Sequence, residues 1–548
     1  MEHIDEGWKM MNGATRTSVV RRSNSTASWF RVSPGKAGSS GILLVSILLG
    51  SVSLAQQTPQ AAQLPTSGRG SQSIGQVSIQ QMTLPSGSVN VLQPSVMVLG
   101  GYQGSVPEGT IVSGSLRLSM ADAVKRGLQA NLGVITSDVA SSTVRAQRLQ
   151  ALSQMLPQIS VSAGETVTQT NLAAYGLGSI TGKLKSVLGP NSTLTIPTVF
   201  GPFQYVQAQA NLNWNALSLT SFRNVQTANA VYRATQLSAR DARELVVLAV
   251  GGSYLQVVSA AARIESQRLQ VQYAQAIYDR ANTQLSAGTN TRVDLTRSLV
   301  QLQSEQERLL SLQGDYEQQK IAFARIIGLP QNIEIVFTEP LEIKDLPAVA
   351  EADALHAAFA RRWDLLSAEA QRDAAVRALS AARGERLPSV SFNGYYGANG
   401  SHPAESHGEF VAQGTVSVPI FDGGKISGDV QQAQATLRQR KAEYEDQKGK
   451  VEQDVRTALI QLRVAAGQVK LAESNRQFAR DTLTQSQDRF EAGVTNTVEV
   501  VQAQQQEAAA ENDYISGLFA WNLAQLNLAR SIGDVEAQLA TLFPGDKH

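Results

Sequence analysis

The sequence predicts a mainly α-helical protein with a transmembrane β part, built from two copies of one structural half. Two observations predict this fold class. Very long proline-free segments repeat small apolar residues at spacings of three and four, which is typical of coiled-coil helices. Ahead of each long segment, two strands alternate apolar residues with amide or hydroxyl residues, which is the pattern of a barrel wall.

The composition excludes several classes of function. The formal net charge is +1 and charged residues make up 17% of the chain, so there is no electrostatic footprint for nucleic acid. The chain has no cysteine, which excludes disulfides, thiolate metal sites and a thiol nucleophile. It also excludes a lipid anchor on an N-terminal cysteine, so the protein's own surface must hold it to a membrane.

Residues 1–55 are predicted to be a signal peptide. Basic residues precede the apolar run 41–54, and small residues then offer a cleavage site before Gln56. A transmembrane anchor is the alternative reading, but the run has only about 14 residues against roughly 20 for a span. Two later methionines and the arginine pair at Arg21 leave the start codon and the signal route open. No later segment has a long unbroken apolar run, so we expect no transmembrane helix in the mature chain.

A flexible extension rich in Gln, Ser, Gly and Pro is predicted for residues 56–113. After it the motifs "LPQIS" and "SAGTNTRVDL" return as "LPSVS" and "EAGVTNTVEV", which indicates a duplicated half. Each copy runs helix, strand pair, long helix, tight turn and returning helix. The predicted bounds are 114–330 for the first copy (strands 157–217, helical hairpin 222–328), 331–350 for the linker, 351–532 for the second copy (strands 388–422, hairpin 426–532) and 533–548 for the tail.

The alternating strands predict a barrel with lipid against the apolar face and water against the polar face. The residues predicted to face lipid are Val206, Ala208, Leu212, Trp214, Phe410, Val416 and Val418. Phe203 and Tyr205 at one end of the first long strand, with Trp214 at the other, predict aromatic girdles. A soluble sandwich with one solvated face is the alternative.

Four strands cannot close a barrel, and an open edge in lipid leaves backbone groups unpaired at several kcal/mol each. Closure therefore requires several copies of the chain. Two copies would give a small barrel that side chains fill, whereas three would leave a lumen. The polar inner face favours three.

These features together resemble the TolC family of outer-membrane efflux proteins. The resemblance covers about Leu116 to Ile532 and is carried by "LRLSMADAVKRGLQAN", the "LP" before each strand pair, "VPIFDGGK" at Val418–Lys425 and the two "AG…T…V" turns. It implies a homotrimer with a twelve-stranded outer-membrane barrel that continues into a helical tunnel across the periplasm. It further implies docking on a periplasmic adaptor and an inner-membrane transporter.

The implied function is a passive exit duct of a tripartite efflux or type I secretion system, without enzymatic activity, cofactor or metal. A periplasmic coiled-coil adaptor and a structural protein of the cell envelope are the alternatives. The sequence departs from the family pattern in its long extension, in a longer loop at 171–202, and in "WNALSLT" where the second copy has "VPIFDGG". The last departure predicts a different turn into the first long helix.

Both helical hairpins have turn residues that predict their geometry. Gly288 and Gly493 each follow a helix and suit the left-handed conformation that ends it. Thr291 with Asp294 fits an N-cap residue with an acid three positions later, which starts the returning helix.

Asn496 and Glu499 repeat this pattern in the second hairpin. The resemblance implies that such acids ring a periplasmic aperture, with cationic partners such as Arg292, and that the turns meet the adaptor. Gln502 stands where the family has a second acid, and Phe490 where it has a gating tyrosine. We therefore expect a less tightly locked aperture with one acidic ring, from the second hairpin.

Two other motifs are judged structural. His402, Glu405 and His407 lie together in the loop "SHPAESH", for which a plain polar loop is favoured over a metal site. The run "GSITGK" is one residue short of a phosphate-binding loop and lacks its final Ser or Thr.

Overall fold

The computed structural model describes residues 75–81, 92–98, 101–107, 115–171, 174, 199–289, 291–343, 349–495, 497–533 and 535–542. Strands β1 and β2, Gly75–Gln81 and Leu92–Val98, pair antiparallel with each other. The rest of the described chain is mainly helical, as predicted, and goes twice through one order of elements.

The first copy contains one short strand, two short helices, two long strands and a long helical hairpin. These are β3 (Ser115–Leu118), α1 (Met120–Ala130), α2 (Leu132–Ser153), β4 (Gln158–Asn171), β5 (Val199–Leu217), α3 (Leu219–Ser286) and α4 (Arg292–Ile326).

The second copy repeats this order and adds a short terminal helix. Its elements are β6 (Glu334–Phe337), α5 (Glu351–Arg361), α6 (Trp363–Gly384), β7 (Ser389–Gly400), β8 (His407–Ser417), α7 (Lys425–Glu491), α8 (Thr497–Ile532) and α9 (Val535–Leu542). Strands β3 and β6 pair in parallel and so join the beginnings of the two copies.

The long helices α3 and α7 have 68 and 67 residues, which is roughly 100 Å each at 1.5 Å per residue. They start differently. Helix α3 follows β5 after a single residue, Ser218, whose hydroxyl caps it by accepting from the N–H of Ser221 at 3.2 Å. Helix α7 follows a turn in which Gly423 and Gly424 have φ of 65° and 91°.

Asp422 completes the turn into α7. Its carboxylate accepts the N–H of Gly424 at 3.1 Å and that of Ile426 at 2.6 Å. These bonds, chiefly that from Ile426, hold the pKa of Asp422 below its usual range. The predicted contrast between the two strand-to-helix turns thus has a physical basis, because one copy uses a hydroxyl cap and the other an Asp-Gly-Gly turn.

One helix among the described residues, α3, is apolar enough over an 18-residue window to cross a membrane by length and composition, with a mean hydropathy of 1.8. Of that window, 78% is buried inside the protein. The window lies in the main core, where Tyr254 packs edge-on against Phe323 and Phe337 at ring-centroid distances of 6.0 and 5.2 Å. Gly251 allows close packing here, because a Cβ at this position would lie 2.8 Å from Leu526 Cδ2 in α8.

Residues 101–107, which the sequence analysis placed in the flexible extension, pack against the first copy. The carbonyl of Gly104 accepts the N–H of Leu132 at 2.8 Å, and the N–H of Val106 donates to the carbonyl of Ala130 at 2.9 Å. The segment therefore covers the break between α1 and α2.

Candidate functional site: the two-faced sheet and the hairpin turns

The four long strands form one antiparallel sheet in the order β4-β5-β7-β8. Directly paired residues project to the same side of a sheet, so the ladder assigns every strand residue to a face. One face is apolar and includes Ile159, Val161, Val206, Ala208, Leu212, Trp214, Phe392, Tyr396, Phe410 and Val416. The other is polar and includes Ser160, Ser162, Gln207, Gln209, Asn211, Asn213, Asn393, Asn399, Gln413 and Thr415.

The alternation found within single strands thus extends across both copies. Six of the seven residues predicted to face lipid lie on the apolar face. The seventh, Val418, lies one residue beyond the end of β8 and has no ladder partner. That the apolar face contacts lipid stays a prediction.

The girdle assignment of Phe203 and Tyr205 was wrong. They pair with Thr168 and Thr166, and alternation places them on the same face as Gln207, opposite to Trp214. The apolar face instead has Tyr396 paired directly with Phe410.

The large side chains of the apolar face are uncovered in the single chain. Val161 is 79% exposed, Phe410 is 73% exposed and Val416 is 67% exposed. A contiguous exposed apolar surface of this kind marks a contact with a membrane or with another chain.

The turn of the first hairpin has the geometry that its residues suggest. Gly288 has a φ of 73°, and the N–H of Thr289 donates to the carbonyl of Gln284 at 2.9 Å to end α3. Thr291 caps α4, since its hydroxyl accepts the N–H of Asp294 at 3.3 Å and donates to that residue's carboxylate at 2.6 Å.

Asp294 has a cationic partner within its own helix. Asp294 forms an ion pair of 3.2 Å with Arg297, one turn further along the exposed face of α4. Arg292 lies at the first position of that helix, and its expected role in closing the aperture stays a prediction. A spacing of three residues along a helix brings side chains together, whereas a spacing of two does not.

The second hairpin turns in the same way. Gly493 has a φ of 72°, and the N–H of Val494 donates to the carbonyl of Arg489 at 2.9 Å. Glu499 pairs with Arg489 at 3.0 Å and accepts the hydroxyl of Thr495. The predicted cap residue Asn496 lies outside the described residues.

Phe490 joins the two hairpins. The guanidinium of Arg280, in α3, lies 4.8 Å from its ring centroid and also pairs with Glu491 at 3.3 Å. Ile277 and Val500 pack in the same cluster. Gln502 is exposed on α8. Sequence reasoning missed Arg280, because its partners lie in the other copy and no spacing along the chain connects them.

A buried charge cluster, also missed, lies where both copies meet. The guanidinium of Arg530, near the end of α8, donates to Asp241 and, at 3.2 Å, to Glu244 in α3. These three side chains are 11%, 9% and 7% exposed. Burial raises the pKa of Glu244 to about 7, against the opposing effect of Arg530.

A second buried arginine extends the cluster. Arg362, at the break between α5 and α6, pairs with Asp364 at 2.6 Å and with Asp454 of α7 at 2.9 Å. Burial opposes ionisation of Asp364, but the hydrogen bonds and charge of Arg362 outweigh it and hold the pKa below its usual range. Arg530 therefore joins α8 to α3, and Arg362 joins the break between α5 and α6 to α7. Within the described residues no group of three or more potential metal ligands is found.

Comparison with known proteins identifies the architecture. A family model described as "Outer membrane efflux protein" matches residues 128–329 and 354–534, together more than half of the chain. The outer membrane protein OprJ of Pseudomonas aeruginosa is 26% identical over 319 residues, which cover 55% of this chain and 64% of OprJ. The outer membrane protein TolC of Vibrio cholerae is 22% identical over 398 residues, which cover 70% of this chain and 84% of TolC.

Solved structures share the fold. The open state of the Neisseria gonorrhoeae MtrE outer membrane channel has a TM-score of 0.63 at 17% identity, over 84% of this chain and 98% of that one. The chain therefore has the fold of this outer membrane channel. The chain belongs to the outer membrane efflux protein family, and the predicted resemblance and outer-membrane location are confirmed. The aligned part spans slightly less than two thirds of OprJ.

Proposed function

We propose that this chain is the exit duct of a tripartite efflux or type I secretion system, formed by three copies. The observation that carries the proposal is the sheet. It has one mainly apolar and one mainly polar face and leads into helices of 68 and 67 residues. Such a sheet separates lipid from water, and the helices are long enough to continue the conduit through the periplasm.

The two edges of the sheet support closure by further copies. Strands β4 and β8 are the edges, and they run in opposite directions because three successive antiparallel pairings lead from one edge to the other. Strand β8 of one copy can therefore continue the antiparallel ladder with β4 of the next. Three copies give twelve strands and a lumen lined by the polar face, which eight strands would not leave open.

The helices present a second surface for contact between copies. Ile460, Val464, Leu471 and Phe478 of α7 recur at spacings of four and seven and are 52–67% exposed in the single chain. A stripe of this period is typical of a coiled-coil seam whose partner helix is in another chain.

The hairpin turns support the proposed partners. Val293 and Val494, at the turns of the two hairpins, are 64% and 69% exposed. We propose that these turns dock on a periplasmic adaptor, with an inner-membrane transporter supplying the energy, and that Glu499 contributes a carboxylate to a ring at the aperture. In this arrangement each Glu499 carboxylate has Arg489 of its own chain as a cationic partner.

The absence of native cysteine permits a direct test of closure. A chain with Ser162→Cys in β4 and one cysteine in β8, scanned over Val411, Gln413 and Thr415, should form disulfide-linked trimers when the edges meet. Single-cysteine chains serve as the control and should give no product larger than a dimer. If every double-cysteine variant gives disulfide-linked products of no more than two chains, the trimer is contradicted.

Conductance separates the exit duct from the two alternatives. The purified protein should form ion channels in planar bilayers, which neither an adaptor nor a structural coiled coil would do.

The facing of the sheet is tested by Leu212→Arg, which should cost about 2–4 kcal/mol if the residue faces lipid near the bilayer centre. The adjacent Asn211→Arg should be mild. Equal loss of trimer assembly in both variants would reject the proposed facing.

A further inference from the structure

The polar face of the sheet is almost uncharged. Most of its side chains are amides and hydroxyls, joined in places by hydrogen bonds such as that from Gln209 to Asn211 at 3.1 Å. The face also has the imidazole of His407, which pairs with Asn399, and the rings of Phe203 and Tyr205. The four strands contain two acids, Glu165 and Glu409, and neither lysine nor arginine. Only Glu409 lies on the polar face, because it pairs with Gly397, whereas Glu165 pairs with Val206 on the apolar face.

A specific contact holds the Glu409 carboxylate. The hydroxyl of Tyr395, on the adjacent strand, donates to its Oε1 at 2.7 Å, which also shows that both side chains lie on one face. Directly opposite, Gly397 leaves no room for a side chain, since a Cβ there would lie 2.4 Å from the carbonyl oxygen of Ala208. The directly paired position beside the carboxylate, Gly397, therefore has no side chain, and Gln209 is the next residue at this level.

We propose that Glu409 sets the charge selectivity of the barrel lumen, favouring cations over anions at the end remote from the helices. The inference rests on the proposed function, because it requires the polar face to line a pore of three copies. Three carboxylates then stand at one level of a wall whose strands contain no lysine or arginine. Their ring is separate from the aperture acids, which lie at the far ends of the long helices.

The dimensions decide whether such a ring can act on ions in solution. Twelve strands about 4.8 Å apart and tilted near 45° give a wall of roughly 13 Å radius. A glutamate side chain pointing inward brings its carboxylate to roughly 8 Å from the axis. This is within the Debye length of about 10 Å at 0.1 M salt, but well outside the value of about 3 Å at 1 M. The ring should therefore be felt across the lumen only at low salt.

The expected effect follows from these distances. Three charges at that radius, screened at about 0.1 M, should raise the cation-to-anion ratio on the axis by roughly three- to tenfold. The four strands contain no lysine or arginine that would oppose this charge. The wall should thus favour cationic over anionic solutes and leave neutral solutes unaffected.

A salt gradient across a planar bilayer isolates this ring from the aperture acids. With KCl at about 0.1 M on the barrel side and about 1 M on the hairpin side, the aperture charges are screened while Glu409 is not. The reversal potential then gives the cation-to-anion permeability ratio for channels of known orientation. Glu409→Gln should lower this ratio several-fold, and the difference from wild type should vanish when both sides hold about 1 M KCl.

Glu165→Gln is the matched control, since it removes the same charge from the other face of the same sheet. It should leave the permeability ratio unchanged. Channels of normal conductance in which Glu409→Gln has the wild-type ratio would overturn the inference and leave the duct intact. A change in Glu165→Gln alone would show that the faces are reversed and would overturn it as well. If the wild-type protein forms no channels, the proposed function itself fails, and the inference with it.

Discussion

Removal of Arg530 should destabilise the protein far more than removal of an exposed arginine that also contacts two acids. Arg530 lies between Asp241 and Glu244, and all three side chains are about nine-tenths buried. Arg530→Met leaves two carboxylates, one helical turn apart, without their shared cation. Breaking a buried pair by removing one partner costs about 3–5 kcal/mol, because the remaining charge is left uncompensated.

Arg456 provides the control. It pairs with Glu351 at 2.9 Å and with Glu452 at 2.7 Å, but its side chain is 53% exposed. Exposed pairs contribute about 0–1 kcal/mol, so Arg456→Met should be nearly neutral. Guanidinium unfolding followed by far-UV circular dichroism in detergent measures both variants against wild type.

A triple variant tests the reason for the loss. Combining Arg530→Met with Asp241→Asn and Glu244→Gln removes every charge of this part of the cluster, and stability should recover most of the loss, because no uncompensated charge remains. Equal effects of Arg530→Met and Arg456→Met, or a triple variant no more stable than Arg530→Met, would refute the reasoning.

Three further outcomes are expected. The pKa of Glu244 is raised from 4.5 to about 7, so between these values the folded state keeps a proton that the unfolded state loses. The free energy of unfolding of wild type relative to Glu244→Gln should therefore fall by at most about 3 kcal/mol as pH rises through this window. Unfolding curves from pH 4 to 8 measure this. Gly493→Ala should cost about 1–2 kcal/mol because its φ is 72°, whereas Gly449→Ala inside α7 should stabilise by about 0.5–1 kcal/mol, and thermal midpoints moving in the same direction would contradict this. Glu499→Gln should lower cation selectivity in bilayers with a concentrated barrel-side solution; unchanged selectivity with a stability loss of about 1 kcal/mol would make Glu499 only a helix cap.

Local sequence signals predicted the features that depend on local geometry. The long α3 and α7 follow from proline-free segments with small-residue spacing, and the left-handed Gly288 and Gly493 follow from the position of glycine after a helix. The apolar and polar sides of β5 follow from period two within one strand. Each of these signals is contained in neighbouring residues, so one chain segment is enough to read it.

Features that depend on distant residues were not predictable in the same way. The aromatic girdle was misassigned because Phe203 and Tyr205 were judged by their position at a strand end and not by their parity relative to Trp214. The contact of Arg280 with Phe490 and the cluster around Arg530 join residues from different copies. Burial decides the energy of such ion pairs, and spacing along the chain does not reveal it.

The break between short helices in each copy shows how duplication constrains structure and where it stops doing so. Asn131 separates α1 from α2 with ψ of 132°, and Arg362, at the matching position of the second copy, separates α5 from α6 with ψ of 120°. Both are buried, and each backbone N–H bonds to the preceding helix, to Gly127 and Ala358 respectively. The two copies therefore share the backbone conformation at this break.

The side chains at the two breaks find different partners. The amide of Asn131 donates to the carbonyl of Tyr102 at 2.6 Å, whereas the guanidinium of Arg362 pairs with Asp364 and Asp454. A buried amide is satisfied by neutral carbonyl groups, but a buried guanidinium requires carboxylates. The carbonyl of Tyr102 thus helps to satisfy the buried side chain at the break in the first copy, as Asp454 does in the second. Residues 101–107 consequently belong to the folded first copy and not to a linker, since without them the amide of a fully buried Asn131 would lose its shortest hydrogen bond.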